Sequence, residues 1–204
     1  MYKIQTLNKI SPAGLELFPR ESYEVASEIL NPDAILVRSA SLHEVEIPST
    51  VKAIARAGAG VNNIPVQQCA ERGIVVFNTP GANANAVKEL VFAALLISSR
   101  KVVQGVTWTK SLIGKGDEIP KLVEKGKANF AGPEIRGKRL GVIGLGAIGV
   151  MVANDAVELG MRVMGYDPFI SVEAAWGLSR NVKRAQGLET LLAECDYVTL
   201  HVPL

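Results

Sequence analysis

The sequence predicts an α/β protein built on parallel sheets, and three features carry that reading. Short runs rich in Val and Ile alternate with helix-like stretches, each run closes in a glycine or polar corner, and a GxGxxG run follows one of the later strands. Strands that alternate with helices must be joined by crossovers, which sets them parallel. A length of 204 residues holds one large or two small α/β domains, and we place them at 1–98 and 99–204. With 48% hydrophobic residues and a mean hydropathy of +0.21, the chain can bury a core, which excludes a disordered segment.

Taken in order, Tyr2 to Thr6 is the first strand. Ser11 then reads as an N-cap and Pro12 as the first residue of a short helix through Phe18. Further strands are expected at Ala34 to Val37, Ala53 to Arg56 and Ile74 to Phe77. Each ends in an abrupt corner: Arg38-Ser39-Ala40, then Gly58 to Asn63, then Asn78-Thr79-Pro80-Gly81. Ligands of open parallel sheets bind outside the carboxyl ends of the strands, so these corners mark one rim as the working face. A long helix is expected from Asn83 or Asn85, either of which suits an N-cap, to about Arg100. Residues 105–137, rich in Gly and Lys, read as an arm or connection with a helical turn around Leu122 and Val123.

The second α/β unit opens at Arg139 and carries the glycine run Gly144-Leu-Gly146-Ala147-Ile148-Gly149. In a dinucleotide site Gly144 permits the tight turn, Gly146 lets the backbone approach a pyrophosphate, and Gly149 lets helix and strand pack closely. The helix that follows places Ile148, Val152, Ala156 and Leu159 at one-face spacing and ends at Gly160. Its free N–H groups suit phosphate oxygens. The next strand, Met161 to Tyr166, ends at Asp167, near the offset of about 20 residues expected of the acid that holds the ribose hydroxyls. A carboxylate there repels a 2′-phosphate, and Pro168-Phe169-Ile170 brings no arginine, so NAD is favoured over NADP. A lone GxGxxG is weak; here strand, helix, second strand and acid agree.

A formal net charge of +2, from 22 basic and 20 acidic residues, gives no electrostatic reason to expect nucleic acid or an anionic membrane as partner. Cys69 and Cys195 have no metal-like spacing and read as two buried thiols of a reducing compartment. No signal peptide is read at the N-terminus, and the apolar run Leu90 to Ile97 is too short to span a bilayer, so a cytoplasmic setting is expected.

With these motifs in hand, the chain resembles the D-isomer-specific 2-hydroxyacid dehydrogenases, over essentially all of its length. The resemblance rests on Arg38-Ser39-Ala40, Arg56-Ala-Gly58-Ala59-Gly60-Val-Asn62-Asn63, Asn78-Thr79-Pro80, the glycine run, Gly165-Tyr-Asp167-Pro168, and Cys195-Asp196 through His201-Val202-Pro203-Leu204. It implies a flavodoxin-like substrate domain followed by a Rossmann NAD-binding domain, the latter truncated here. It further implies NAD-dependent oxidation of a D-2-hydroxyacid, with 3-phosphoglycerate of the serine pathway favoured, glyoxylate or hydroxypyruvate reduction as an alternative, and an NAD-sensing scaffold as a non-enzymatic one. Arg38, Ser39, Gly58, Ala59 and Gly60 match substrate-side positions. Gly144, Gly146, Ala147, Ile148, Gly149, Asp167, Pro168, His201, Val202 and Pro203 match cofactor-side positions. The family implies a homo-oligomer, dimer or tetramer, with residues 105–137 as an intersubunit arm. Where several relatives carry threonine this chain has Ala59, and where some carry an arginine in the glycine loop it has Ala147.

Hydride removal from an alcohol carbon needs a base for the hydroxyl proton and a cation for the substrate carboxylate. The resemblance gives those roles to a histidine, its carboxylate partner and an arginine, all expected beyond Leu204. His43 reads as a solvated helix start and His201 as a strand-end residue near the cofactor, so no catalytic residue is expected in this stretch.

Overall fold

In the computed structural model, which describes residues 1–202, the chain divides into two units, Met1–Asn83 and Ala84–Leu204. The first contains β1 (Tyr2–Leu7), α1 (Pro12–Leu15), β2 (Tyr23–Ala26), β3 (Ala34–Val37), β4 (Ala53–Arg56), α2 (Val66–Glu71) and β5 (Val75–Phe77). All pairings are parallel, in the order β2-β1-β3-β4-β5. That is the flavodoxin-like order, whose switch point lies between β1 and β3.

The core of this unit is formed by Ile35, Val37, Leu42, Ile47, Val51, Ile54, Ile64, Cys69 and Ile74, all buried. Ile35 and Val37 share one face of β3 by the period of two. Full burial of a side chain such as Ile54 contributes about 1.5–3 kcal/mol. Two short elements, β2 and α2, escaped the sequence reading. β2 is a four-residue edge strand paired with β1, so it shows no sustained apolar pattern. Helix α1 stops at Leu15, short of the expected Phe18, and Pro19 keeps Phe18 itself from continuing it. Ser11 has the extended conformation of a cap, but its hydroxyl makes no cap hydrogen bond.

The second unit contains α3 (Ala84–Ser99), α4 (Val102–Lys110), α5 (Ile119–Gly126), β6 (Arg139–Ile143), α6 (Ala147–Glu158), β7 (Arg162–Tyr166), α7 (Val172–Gly177), β8 (Lys183–Arg184), α8 (Leu188–Glu194) and β9 (Tyr197–Leu200). Its parallel sheet has the order β8-β7-β6-β9. From β6 the chain builds to one side through β7 and β8, then returns to place β9 on the other. The switch point therefore falls between β6 and β9, as in the first four strands of a dinucleotide-binding sheet.

Helix α3 belongs to this second unit rather than to the first, where a boundary at 98/99 puts it. Leu95 is buried in one cluster with Leu140, Val142, Val152, Ala153, Ala156 and Val163. Lys88 Nζ also lies 2.8 Å from Asp155 of α6, and the Ser99 hydroxyl lies 2.7 Å from that of Tyr197 in β9. Of the two cap candidates, Asn83 directly precedes the helix, while Asn85 lies within it and donates to Glu89.

Residues 105–137 hold more helix than expected. Alongside α4 and α5 there are 3-10 turns at Gly116–Glu118 and Lys127–Phe130, and Trp108 packs on Phe130 with ring centroids 4.9 Å apart. Leu159 departs from the expected apolar face of α6 and is exposed. It is the C-cap residue, where the chain leaves the helical rotation and turns through Gly160 at φ +80°. Among the described residues no single helix is long and apolar enough to cross a membrane. Both cysteines are free, Cys69 buried but Cys195 only partly so.

Candidate functional site

Three carboxyl strand ends of the second unit meet around the glycine loop. The Gly144 amide donates to the Tyr166 carbonyl at 2.9 Å, and the His201 amide donates to the Ile143 carbonyl at 2.8 Å. The loop after β6 is thereby fixed to the ends of both neighbours, β7 and β9.

Each glycine of the run meets a different constraint. Gly144 has φ +88°, and a Cβ there would lie 2.6 Å from the His201 carbonyl oxygen, so only glycine fits the turn. A Cβ at Gly149 would overlap the Gly144 carbonyl oxygen, so helix α6 can approach its strand only without a side chain there. Around Gly146 a Cβ would meet nothing within 4 Å. That residue faces open space and is the N-cap of α6. The amides of Gly146, Ala147 and Ile148 have no acceptor among the described residues, whereas the Gly146 carbonyl already accepts from Val150. Open volume, unpaired donors and the positive end of a twelve-residue helix fit a phosphate group.

Asp167 stands at the end of β7, where sequence reasoning places it. Its Oδ2 accepts from the Leu145 amide and its Oδ1 from the Phe169 amide, each at 2.8 Å. The carboxylate is half-buried, and an ionised carboxylate keeps acceptor sites beyond two such bonds. Asp167 and Pro168 also line a cavity of about 320 Å³ with Leu145, Ile170, Ala175 and Leu178. Lys183 and Arg184 complete its wall from β8. The sequence reading of residues 168–170 found no cation here, because these two arrive from a strand a dozen residues further on.

His201 follows β9, with its ring Nε2 3.0 Å from the Thr199 hydroxyl. Burial pushes its pKa below the ordinary value of 6.5. Val202 is exposed beside it and its Cγ1 would be 2.8 Å from a Cβ at Gly144. Pro203, also named from the sequence, lies outside the described residues.

In the first unit the rim is set by Asn8, which the sequence reading did not single out, and by Arg56 and Asn78, which it quoted as motif residues without a role. Asn8, just after β1 at φ +70°, accepts through Oδ1 from the amides of Ser39 and Ala40 at 2.8 and 2.7 Å. It thereby fixes the corner bearing Arg38 across the β1/β3 switch point. Asparagine is among the few residues that tolerate this backbone region, so an Asn at a strand end was the available signal. The Arg56 guanidinium donates to the carbonyls of Arg38 and Gly60 and, at 3.1 Å, to Asn62 Oδ1. Asn78 donates to the Ala59 carbonyl at 2.6 Å and the Thr79 amide to the Gly58 carbonyl at 3.0 Å.

All three carbonyls of the Gly58-Ala59-Gly60 turn are thus satisfied from within. The amides of Ala59 and Gly60 have no acceptor among the described residues. Arg38 is exposed and forms no ion pair among the described residues. A cation and two outward donors on one strand-end rim suit a small anion. His43 is not at a helix start: it lies in a bend, exposed, with Nε2 2.9 Å from the Asn62 carbonyl oxygen.

Comparison with known proteins agrees with this geometry. Residues 92–204 match the NAD binding domain of the D-isomer specific 2-hydroxyacid dehydrogenases. A D-3-phosphoglycerate dehydrogenase of Methanocaldococcus jannaschii is 38% identical over 184 residues, which cover 89% of this chain and 33% of that protein. A hydroxypyruvate reductase of Thermotoga maritima is 37% identical over 201 residues, covering 92% of this chain and 60% of the relative. The NAD-bound crystal structure of 3-phosphoglycerate dehydrogenase from Entamoeba histolytica superposes with a TM-score of 0.70 at 28% identity, covering 100% of this chain and 63% of that one. The chain spans about a third of the length of the curated D-3-phosphoglycerate dehydrogenases from Methanocaldococcus jannaschii, Archaeoglobus fulgidus and Rattus norvegicus.

Proposed function

The chain belongs to the D-isomer specific 2-hydroxyacid dehydrogenases and carries their NAD-binding domain, and we propose that it serves the NAD-dependent oxidation of a D-2-hydroxyacid, with 3-phosphoglycerate as substrate. NAD, when bound, supplies the oxidant for the alcohol carbon. The observation that carries the proposal is the set of unpaired amides at Gly146, Ala147 and Ile148 beside the fixed Asp167 carboxylate. The amides receive the pyrophosphate, and Asp167 accepts from the ribose hydroxyls. Pro168, His201 and Val202 flank the adenosine half.

On the substrate side, Arg38 and the amides of Ala59 and Gly60 hold the acid group of the hydroxyacid, with Ser39 and Gly58 shaping the rim. Charge-assisted bonds of this kind are roughly twice as strong as neutral ones and orient a carboxylate. The protein works in the cytoplasm as a homo-oligomer, with the α4–α5 segment as the intersubunit arm. The family resemblance to D-3-phosphoglycerate dehydrogenases in several organisms supports the choice of substrate. Reduction of hydroxypyruvate is the second reading, favoured by the 37% identity to the Thermotoga maritima enzyme.

Because the catalytic groups are expected beyond Leu204, residues 1–204 alone should not turn over substrate. The test on the full-length protein is a comparison of kcat/KM for 3-phosphoglycerate with NAD and for hydroxypyruvate with NADH, alongside calorimetric titration of NAD. Preference for hydroxypyruvate selects the second reading. Turnover of neither substrate, with no NAD binding, overturns the proposal.

A further inference from the structure

The second unit has another cavity, of about 400 Å³, which opens at the amino-terminal ends of the strands. The glycine loop lies at their carboxyl ends, so roughly 16 Å of strand separates Arg139 from Gly144. The cavity is lined by Arg139, Arg162 and Lys183, the first residues of β6, β7 and β8. Met164 and Cys195 give it apolar and thiol walls.

The three cations are exposed but grouped on one face of the sheet. Arg139 and Arg162 are register partners in adjacent parallel strands, so their side chains leave the same face of the sheet about 4.8 Å apart at the backbone. Lys183 pairs with Met164, two residues along β7 from Arg162, and so shares that face. Like charges directly opposite each other destabilise a sheet unless something lies between them.

One acid, Glu194, lines the cavity, and it is engaged by Arg139 at 3.4 Å. The nearby Asp196 carboxylate accepts from the Arg139 backbone amide rather than from the guanidinium. Arg162 and Lys183 have no side-chain hydrogen bond or ion pair among the described residues. Two cations therefore face a concave, part-apolar wall without a counter-charge.

We propose that this cavity is a binding site for a small dianion, held by Arg162 and Lys183 with Arg139 at its edge and separate from the cofactor site. A planar guanidinium and a compact ammonium together suit two oxyanion groups, or the several oxygens of one phosphate.

The experiment is a calorimetric titration of the NAD-saturated protein with inorganic phosphate and, in a second arm, with succinate. The rate at which N-ethylmaleimide modifies Cys195 is followed alongside, with buried Cys69 as an internal control. At least one anion binds, slows Cys195 modification and leaves NAD affinity unchanged. The tighter of the two identifies a tetrahedral oxyanion or a dicarboxylate as the preferred chemistry. The double variant R162Q/K183Q, checked for an unchanged melting temperature, weakens binding by about tenfold or more and abolishes the protection. Absence of binding by both anions, binding and protection unaltered in the double variant, or competition between the anion and NAD would each overturn the proposal.

Discussion

The Leu145 amide donates to Oδ2 of Asp167 at 2.8 Å, so the glycine loop after β6 and the acid after β7 form one hydrogen-bonded unit. The carboxylate has a structural bond in addition to its proposed contact with ribose. Asp167→Ala is expected to raise KM for NAD and to lower the preference for NAD over NADP. With the negative charge gone, Arg184, whose register partner is Gly165, remains in the wall of the adjoining cavity as a partner for a 2′-phosphate. KM for each cofactor is the measurement, and an unchanged preference ratio would remove Asp167 from the ribose site.

The glycines of the loop should respond to alanine in different ways. Gly149→Ala forces a Cβ onto the Gly144 carbonyl oxygen and is expected to cost on the order of 3 kcal/mol in stability. Gly146→Ala meets open space, so its stability cost stays within about 1 kcal/mol, while NAD binding weakens because the methyl occupies the phosphate approach. Denaturant melts and NAD titrations of both variants separate the two effects. Equal losses of stability would contradict the packing described for Gly149.

In the full-length protein, Arg38→Ala should raise KM for the hydroxyacid substrate and leave NAD affinity nearly intact, since among the described residues this guanidinium forms no ion pair. Arg38→Lys should restore only part of the loss, because a point charge does not reproduce a planar fork. A loss that falls on NAD instead would assign Arg38 to another subsite.

His201 links stability to pH. Burial lowers its folded-state pKa below 6.5, the value of the unfolded chain. Its contribution is therefore fully present above pH 6.5 and is lost as pH falls through the folded pKa, because the unfolded chain takes up the proton first. His201→Gln should flatten this part of the melting temperature profile, measured without NAD. An identical acid slope in the variant would mean that another group controls it.

The salt bridge between Lys88 and Asp155 is worth testing because it joins α3 to α6. The Lys88 side chain is 16% exposed and that of Asp155 45%. With one partner this open to solvent, the pair should contribute only about 1 kcal/mol. A double-mutant cycle with Lys88→Met and Asp155→Ala measures the coupling, and a value near zero would leave the buried Leu95 contact as the tie between the helices.

Much of the cofactor side was legible because it is local. Gly144, Gly149 and Asp167 sit in a continuous strand–loop–helix–strand stretch, where each residue's task follows from its neighbours in the chain. The strands at Ala34–Val37 and Ala53–Arg56 were legible for a similar reason, as short apolar runs that end in recognisable corners. The edge strand β2, the short α2 and α8, and α4 were not, and of α5 only a turn around Leu122 and Val123 was. Their segments are brief or polar, and tertiary packing rather than periodicity stabilises them.

The sequence by itself determined the fold class, the glycine loop and its acid, since these depend on backbone freedom and hydrophobic period along the chain. Only the tertiary structure decided which residues hold those motifs in place. Asn8 reaches the corner after β3, Arg56 closes the Gly58–Gly60 turn, and α3 joins the second unit through Leu95 and Lys88. It also decided that Arg139, Arg162 and Lys183 share one cavity. Residues far apart in the chain become neighbours through strand order and register, and those are set by the packing of the whole sheet.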